Sequence, residues 1–214
     1  MSDYSLPPAN TLIVGMTGSG KTTFVNAYLL SDTSAACRFI FDDLNRMWPR
    51  LKIPPCYTVR QLEESLALRW SAFNPLRAFP GDTKAAFKWW CQWVFHCATR
   101  GPGKKLVVVP ELWRHCSADS IPPELALLAQ AGRELNVELV LDTQRPEAIN
   151  PSITGQSTEL VSFRLMSHEA LRAVEKLCRD CGVNFPREQM AALPLGSFMA
   201  WNRITGTSLA GRVF

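Results

Sequence analysis

The 214-residue sequence lacks several features that would place it in whole classes of protein. No apolar run approaches the ~20 residues of a membrane-spanning helix, so no transmembrane segment is predicted. The first residues, MSDYSLPP, carry neither a basic stretch nor an apolar core, and we expect no signal peptide. Repeats, low-complexity segments and composition shifts are absent as well. We therefore expect a single domain over residues 1–214, with its core at about 10–201.

Cysteine usage argues against a disulfide framework. The chain has seven cysteines, an odd number, and their spacing follows no regular pattern, which favours reduced thiols in a cytosol. Cys178 and Cys181 have the C-x-x-C spacing of zinc ligands, but only His168 is close in sequence and a closed zinc site needs four ligands. We expect two thiols at a helix end and no structural zinc.

What the sequence does contain is a phosphate-binding motif. Residues 15–22, GMTGSGKT, match the P-loop pattern G-x-x-x-x-G-K-[ST] at every fixed position. The apolar run at 11–14 predicts a buried strand before the motif, and residues 22–30 predict a helix after it. Glycines allow successive backbone N–H groups to face phosphate oxygens, and the helix N-terminus adds partial positive charge. This combination predicts a nucleotide site.

The P-loop pattern assigns chemistry to individual positions. Lys21 would reach the β- and γ-phosphates of ATP, and the Thr22 hydroxyl would bind Mg²⁺. The predicted nucleotide-binding residues are Gly15, Thr17, Gly18, Ser19, Gly20, Lys21, Thr22 and Thr23.

Strand and helix signals alternate along the rest of the chain, which predicts an α/β fold with a mostly parallel central sheet flanked by helices. The most convincing central strand is 105–109, and other strands are expected at 38–41, 70–73, 137–141, 159–165 and, as the last one, 197–201. Helices are expected at 59–68, 83–98, 122–135 and 167–179. Their predicted N-caps are Thr58, Asp82 or Thr83, and Ser167.

The strand at 105–109 leads into a second candidate element of an ATPase. Such enzymes use a carboxylate at the end of an adjacent strand to hold the Mg²⁺ shell, and often a second one to activate water. Glu111 stands where the water-activating glutamate belongs. Pro110, however, occupies the place of the expected aspartate.

Three explanations of Pro110 are open at this point. Asp42 or Asp43, at the end of another strand, supplies the missing carboxylate; we take Asp42 as the candidate metal ligand. Alternatively, Thr22 and water hold the ion alone. In the third explanation the protein binds nucleotide but hydrolyses it poorly.

Two further polar residues are candidates for the site. Gln144 follows the strand at 137–141 and is placed to contact the γ-phosphate and report its loss. Arg133 lies near the end of the preceding predicted helix and could reach the nucleotide of a neighbouring subunit. Local sequence alone favours a simpler interpretation of Arg133, an arginine stabilised by the helix dipole.

The balance of charge permits a nucleic-acid partner without demanding one, since the net charge is +4 and the pI about 8.7. Polar residues recur every four positions along the helix expected at 83–98, which places them on one stripe. We favour an amphipathic helix whose tryptophans pack in a core, over a stripe that contacts DNA phosphates. The stripe consists of Lys84, Lys88, Gln92, His96 and Arg100.

Together these segments resemble the HerA/FtsK superfamily of ring-forming, DNA-pumping ATPases. The most specific match is TQRP at 143–146, followed by residues 150–153 and the strand at 160–165. The other matching segments are 15–22, 107–111 and 132–137. The likeness extends over about residues 10–201. With no obvious membrane segment, winged helix or large N-terminal domain, the chain is similar to the genome-packaging ATPases of tectivirus-like viruses, which contain a membrane and have double-jelly-roll capsids.

This resemblance implies a P-loop NTPase of the ASCE, RecA-like type that uses ATP and Mg²⁺ to translocate double-stranded DNA, with packaging into a viral capsid as the preferred setting. It implies a homo-oligomeric ring, a hexamer by family likeness, with capsid or membrane vertex proteins as further partners. The ring would act in the host cytoplasm or the virion. Glu111 would polarise the attacking water, Gln144 would be the sensor and Arg133 the finger acting on a neighbour.

Two alternatives to this interpretation stay open. One is a cellular or mobile-element translocase of the same superfamily. The other is a nucleotide-binding assembly protein with little hydrolysis, and Pro110 is its main support.

Overall fold

The expected α/β fold is confirmed by a computed structural model, which describes residues 9–45 and 51–214. In these ranges the strands form one sheet. They are β1 Thr11–Val14, β2 Ala35–Phe41, β3 Pro55–Cys56, β4 Trp70–Phe73, β5 Lys104–Val109, β6 Val137–Thr143, β7 Glu159–Phe163, β8 Ser197–Asn202 and β9 Ser208–Arg212. The helices are α1 Lys21–Ser31, α2 Val59–Ser65, α3 Thr83–Arg100, α4 Pro123–Ala131, α5 Pro151–Thr154, α6 His168–Arg179 and α7 Arg187–Ala192.

The strand order brings the predicted functional segments to one edge of the sheet. The order is β3-β4-β2-β5-β6-β1-β7-β8-β9. Strands β1 to β7 pair in parallel, and β8 and β9 add an antiparallel hairpin beside β7. Because parallel strands end on the same side, the segments that follow β1, β5 and β6 meet at one carboxyl edge, where α/β proteins bind their ligands.

Each face of the sheet buries its own apolar cluster. On one face, Val25 and Leu29 of α1 pack with Ile13 and Val140. On the other face, Trp90 of α3 is fully buried in a larger cluster. The apolar positions of α3 follow helical spacing, so a single stripe of the helix reaches that core. The interpretation of the tryptophan-rich helix as a packing element is therefore confirmed for Trp90.

The predicted helix N-caps are in place. The Thr58 hydroxyl accepts a hydrogen bond from the Gln61 N–H at 3.2 Å, and the Asp82 carboxylate accepts one from the Ala85 N–H at 2.9 Å. Ser167 likewise caps α6. Each cap satisfies one of the N–H groups that a helix start leaves without an intrahelical partner.

Two elements differ from the expected pattern. The helix expected to reach residue 135 ends at Ala131, because the chain turns at Gly132, whose carbonyl accepts the Val137 N–H at 2.7 Å. The strand at 197–201 is not the last, since Ser208–Arg212 extends the sheet beyond it. Pro55–Cys56 forms a further short strand, at a place where the sequence predicted none.

Within the described ranges, no helix has both the length and the apolar character needed to cross a bilayer.

A buried histidine is packed between aromatic rings near the carboxyl edge of the sheet. The ring of His115 lies 4.9 Å from those of Phe41 and Phe87. Burial lowers its pKa to about 4, and the nearby Arg114 charge acts in the same direction. The negative charge of Asp43 does not offset this lowering of the pKa, because Asp43 Oδ2 is closer to Arg114 Nη2, at 3.1 Å, than to His115 Nε2, at 3.8 Å. His115 is therefore neutral in the folded protein near pH 7.

We expect His115 to make the protein less stable in acid. The unfolded chain takes up this proton near pH 6.5 and the folded chain only near pH 4, so stability falls as the pH drops through that window. The full shift corresponds to roughly 3 kcal/mol at 1.36 kcal/mol per pKa unit. In His115→Phe, the free energy of unfolding should fall less between pH 7 and pH 4.5, because the share caused by protonation of His115 is gone. Urea unfolding at both pH values measures this. His168→Phe, at an exposed histidine, is the control; an unchanged pH profile for His115→Phe would contradict the assignment.

Candidate active site

A small cavity opens at the carboxyl edge of β1. Its volume is about 190 Å³. Six of its lining residues come from the P-loop and the start of α1, one follows β5, and one is an aromatic residue. They are Thr17, Gly18, Gly20, Lys21, Thr22, Thr23, Glu111 and Phe214. The structure therefore brings six of the eight predicted nucleotide-binding residues to one cavity, together with Glu111.

The two remaining predicted residues, Gly15 and Ser19, do not line the cavity and lie against each other in the loop. A Cβ on Gly15 would lie 2.7 Å from both Phe163 Cβ and Ser19 Oγ, so only glycine fits there. The Gly15 N–H donates to the Thr143 carbonyl at 3.3 Å, and the Met16 N–H to the Arg164 carbonyl at 2.9 Å. The loop is thus held by the ends of the two strands that flank β1.

The backbone turns into α1 at a position that also requires glycine. Gly20 has φ +115°, and a Cβ there would lie 2.9 Å from Val213 Cγ2 and 3.0 Å from Phe163 Cε1. The helix begins at Lys21, so its first N–H groups have no intrahelical acceptors and face the cavity edge. A helix start of this kind attracts anions.

Two polar side chains inside the loop suit an anionic ligand. Lys21 is buried, and its ammonium donates to the carbonyls of Gly15 at 2.9 Å and Met16 at 3.2 Å. Ser19 is also buried, and among the described residues its hydroxyl finds no hydrogen-bond partner. A phosphate oxygen would satisfy that hydroxyl, so the residues present fit a nucleotide phosphate.

A chain of hydrogen bonds joins the P-loop to the ends of two other strands. The Thr17 hydroxyl donates to Gln144 Oε1 at 2.5 Å, and Gln144 Nε2 donates to Glu111 Oε1. Trp113 Nε1 donates to the other Glu111 oxygen at 2.9 Å. The structure therefore brings together Glu111 and Gln144, two of the residues that the sequence selects for catalysis.

Glu111 adopts a backbone conformation that is uncommon for a residue with a side chain. Its φ is +51° and its ψ +48°, in the left-handed region. The Glu111 N–H donates to Asp142 Oδ1 at 2.9 Å. Asp142 is buried near the end of β6, and we gave it no role from the sequence. The available signal was its position, directly before the TQRP segment.

Asp42, the candidate metal ligand, lies away from the P-loop. Its strand β2 is three positions from β1 in the sheet, roughly 14 Å at 4.8 Å per strand. Like Asp142, Asp42 does not line the cavity, but its backbone joins β2 to the neighbouring β4, on the side away from β1, through the Phe73 carbonyl and the Asn74 amide. This position does not favour Asp42 as the replacement for the missing aspartate.

Arg133 lies at the opposite edge of the sheet from the cavity. It is exposed in the turn between α4 and β6, before the first residue of β6, whereas Gln144 follows the last. Seven strand residues separate these ends, or roughly 23 Å at 3.3 Å per residue. The structure therefore does not bring Arg133 to the cavity of its own chain.

The polar stripe of α3 faces solvent. Four of its residues, Lys84, Lys88, Gln92 and His96, are exposed, and so is Arg100 at the end of the helix. The expected absence of a structural zinc stays a prediction from the sequence. Cys178 is buried at the end of α6, and this burial raises the pKa of its thiol to about 12.

Comparisons with known proteins give relatives in both sequence and structure. No protein-family model matches the chain. Protein P9 of Pseudoalteromonas phage PM2 is 27% identical over 175 residues, which cover 81% of this chain and 76% of that protein.

Among solved structures, the genome-packaging NTPase B204 of Sulfolobus turreted icosahedral virus 2, in complex with AMPPCP, superposes with a TM-score of 0.74 at 16% identity. The match covers 96% of this chain and 98% of that one. The cytoplasmic domain of the type VII secretion ATPase EccC from Thermomonospora curvata gives a TM-score of 0.59 at 16% identity, covering 95% of this chain and 25% of that one. The chain therefore has the fold of P-loop ATPases, and the resemblance to viral genome-packaging ATPases predicted from its sequence is confirmed.

Proposed function

We propose that this protein is an ATPase that drives double-stranded DNA into a viral capsid as a homo-oligomeric ring. The observation that carries the proposal is a cavity lined by the P-loop and Glu111, with Gln144 hydrogen-bonded to Thr17 and to Glu111 at its wall. The sequence relation to a phage protein supports a viral setting, and the structural likeness to the genome-packaging NTPase B204 supports packaging.

In this proposal the P-loop binds the phosphates of ATP through its N–H groups, Lys21 and the Ser19 hydroxyl. The Thr22 hydroxyl would hold Mg²⁺, which would supply positive charge beside the phosphates. Glu111 takes the proton of the attacking water, the usual work of a general base. Hydrogen bonds from Trp113 and Gln144 keep its carboxylate oriented.

Gln144 is suited to the role of sensor because it connects two groups that face the cavity. Its side chain accepts from Thr17 in the P-loop and donates to Glu111. A phosphate bound between these groups would compete for the same donors and acceptors. Release of the γ-phosphate would then be transmitted to β6 through the side chain of Gln144.

The position of Arg133 supports a ring. Since it lies at the sheet edge opposite its own cavity, a role in hydrolysis requires contact with the nucleotide of a neighbour.

The exposed polar stripe on α3 offers positive charge for DNA phosphates, a contact that would be independent of sequence. The number of six subunits rests on the resemblance alone.

A second candidate function is a nucleotide-binding assembly protein with little turnover. Pro110 favours it, because the strand that carries Glu111 has no aspartate at the usual place. Measured turnover separates the two candidates.

The first prediction from this proposed function concerns hydrolysis. We expect the wild-type protein to hydrolyse ATP faster with double-stranded DNA, and Glu111→Gln to bind ATP while losing at least ~10²-fold in turnover, the scale of general-base catalysis. Lys21→Ala should lose binding as well. Steady-state phosphate release and ATP binding provide the measurements.

Glu63→Gln, at an exposed glutamate on α2, is the control for the loss of a carboxylate. ATP binding by the wild-type protein without turnover, in the presence of DNA, would favour the assembly protein instead.

The second prediction concerns the P-loop backbone. Gly20→Ala should weaken ATP binding at least tenfold, because the methyl group meets Phe163 and Val213 and the left-handed φ is disfavoured. Gly182→Ala is a matched control, since Gly182 has φ +69° with open space around it and lies in a distant loop. Calorimetric titration with ATP measures both. Equal affinities for the two variants would contradict the tight packing described for the loop.

The third prediction concerns Arg133. Arg133→Ala should reduce hydrolysis by about 10³-fold, the lower range for an arginine finger. Mixing Arg133→Ala with Glu111→Gln subunits should restore activity well above either variant alone, since some interfaces then pair an intact Arg133 with an intact Glu111. Phosphate release across a series of mixing ratios tests this.

A mixture of Lys21→Ala and Glu111→Gln subunits is the control: both residues line the cavity of their own chain, so every cavity in that mixture is defective and activity should not recover. If the Arg133 mixture shows only the average of the two variants, action on a neighbour is excluded.

A further inference from the structure

A carboxylate lies beside the position where Pro110 replaces the expected aspartate. Strands β5 and β6 pair in parallel with Val109 opposite Leu141. Continuing this register by one residue places Pro110 beside Asp142. Neighbouring strands are about 4.8 Å apart, so the two positions are close in the sheet.

Both positions belong to the face of the sheet that α1 covers. Val108 and Val140 pack in the same apolar cluster as Val25 of α1, and side chains alternate between faces along a strand. Pro110 and Asp142, each two residues further on, therefore fall on that face. Glu138 follows the same alternation, because its carboxylate accepts a hydrogen bond from Tyr28 of α1.

Strand β6 is also nearer to the P-loop than β5 is. It pairs directly with β1, and Asp142 lies opposite Ile13. The residue after Asp142, Thr143, accepts the Gly15 N–H through its carbonyl. Relative to Pro110, the carboxylate is thus displaced by one strand toward β1, at the same level and on the same face.

The contacts of Asp142 are compatible with a metal role. Its Oδ1 accepts the Glu111 N–H. A carboxylate has about four lone-pair sites, so it can accept hydrogen bonds and contribute to a metal site at the same time. The described residues contain no group of three or more His, Cys, Asp or Glu side chains that could hold a metal by themselves. Magnesium does not need one, because it is usually held by one or two carboxylates with phosphates and water.

We propose that Asp142 is the carboxylate of the magnesium site and replaces the aspartate missing at Pro110. The proposal rests on the proposed function, the binding of ATP at the P-loop. Asp142 then has two tasks: it holds the shell of the ion bound with the nucleotide, and it fixes the backbone of Glu111.

The test measures metal affinity directly. Mn²⁺ is titrated into the full-length protein with AMPPCP, and free Mn²⁺ is followed by electron paramagnetic resonance. Asp142→Asn keeps an oxygen that can accept the Glu111 N–H but removes the charge. We expect its Mn²⁺ affinity to fall at least tenfold, the effect typical of lost metal-shell partners. AMPPCP affinity in EDTA should stay unchanged.

Controls separate this result from a general effect of losing a carboxylate. Asp180→Asn removes an exposed carboxylate at the end of α6 and should leave Mn²⁺ affinity unchanged. Asp42→Asn tests the competing candidate. Asp142→Ser, whose hydroxyl can also accept the Glu111 N–H, serves if Asp142→Asn does not fold. In the double variant Pro110→Asp/Asp142→Asn the carboxylate returns to β5, and we expect Mn²⁺ affinity to recover.

Three results would overturn the proposal: an unchanged Mn²⁺ affinity in Asp142→Asn, a loss confined to Asp42→Asn, or an equal loss of AMPPCP affinity with and without metal, which indicates a structural role. Failure of the proposed function looks different. In that case the wild-type protein itself binds no AMPPCP, and the magnesium assignment falls with it.

Discussion

The hydrogen bond from the Glu111 N–H to the Asp142 carboxylate is the contact on which the candidate site depends. It holds a residue with a side chain in the left-handed region, which costs about 1–2 kcal/mol. A bond to a charged acceptor contributes about 1.5–3 kcal/mol, enough to offset that cost. The turn after β5 therefore keeps a direction that brings the Glu111 side chain into the cavity wall. Its contacts with Trp113 and Gln144 follow from that position.

This bond is one of three contacts through which the end of β6 joins segments that are distant in sequence. The end of β6 accepts the first N–H of the P-loop through Thr143, supports Glu111 through Asp142 and contacts the loop again through Gln144. The end of a single strand therefore contacts both the P-loop and Glu111. That end is buried, and Asp142 and Thr143 pair with Ile13 and Val14 of β1 beyond the point where the ladder with β5 stops.

The sequence predicts the parts of this arrangement that are encoded locally. The P-loop depends on glycines within eight residues, and the caps at Thr58, Asp82 and Ser167 depend on contacts within three residues. The alternation of strands and helices also predicts the fold class, because each strand or helix is marked by a local pattern of apolar residues. The sequence did not predict strand β9, because Ser208–Arg212 is largely exposed and has no alternation of apolar residues to mark it.

The role of Asp142 could not be predicted in the same way. It depends on the register between β5 and β6, which joins residues 31 positions apart. Asp42 was a reasonable candidate in sequence because it also ends a strand. Only the order of strands shows that β2 lies beyond β5 and away from β1. Chain position identifies strand ends, whereas the sheet order decides which of them are neighbours.

The two edges of the sheet connect the chemistry to assembly. Each chain has the cavity at one edge and Arg133 at the other, so no chain brings its own Arg133 to its own cavity. A two-fold dimer could supply both arginines, but its two subunits would not enclose a central passage. A closed head-to-tail ring supplies one arginine to every cavity and also surrounds an axis. If Arg133 acts on a neighbour and DNA moves through the assembly, the ring is the arrangement that satisfies both requirements.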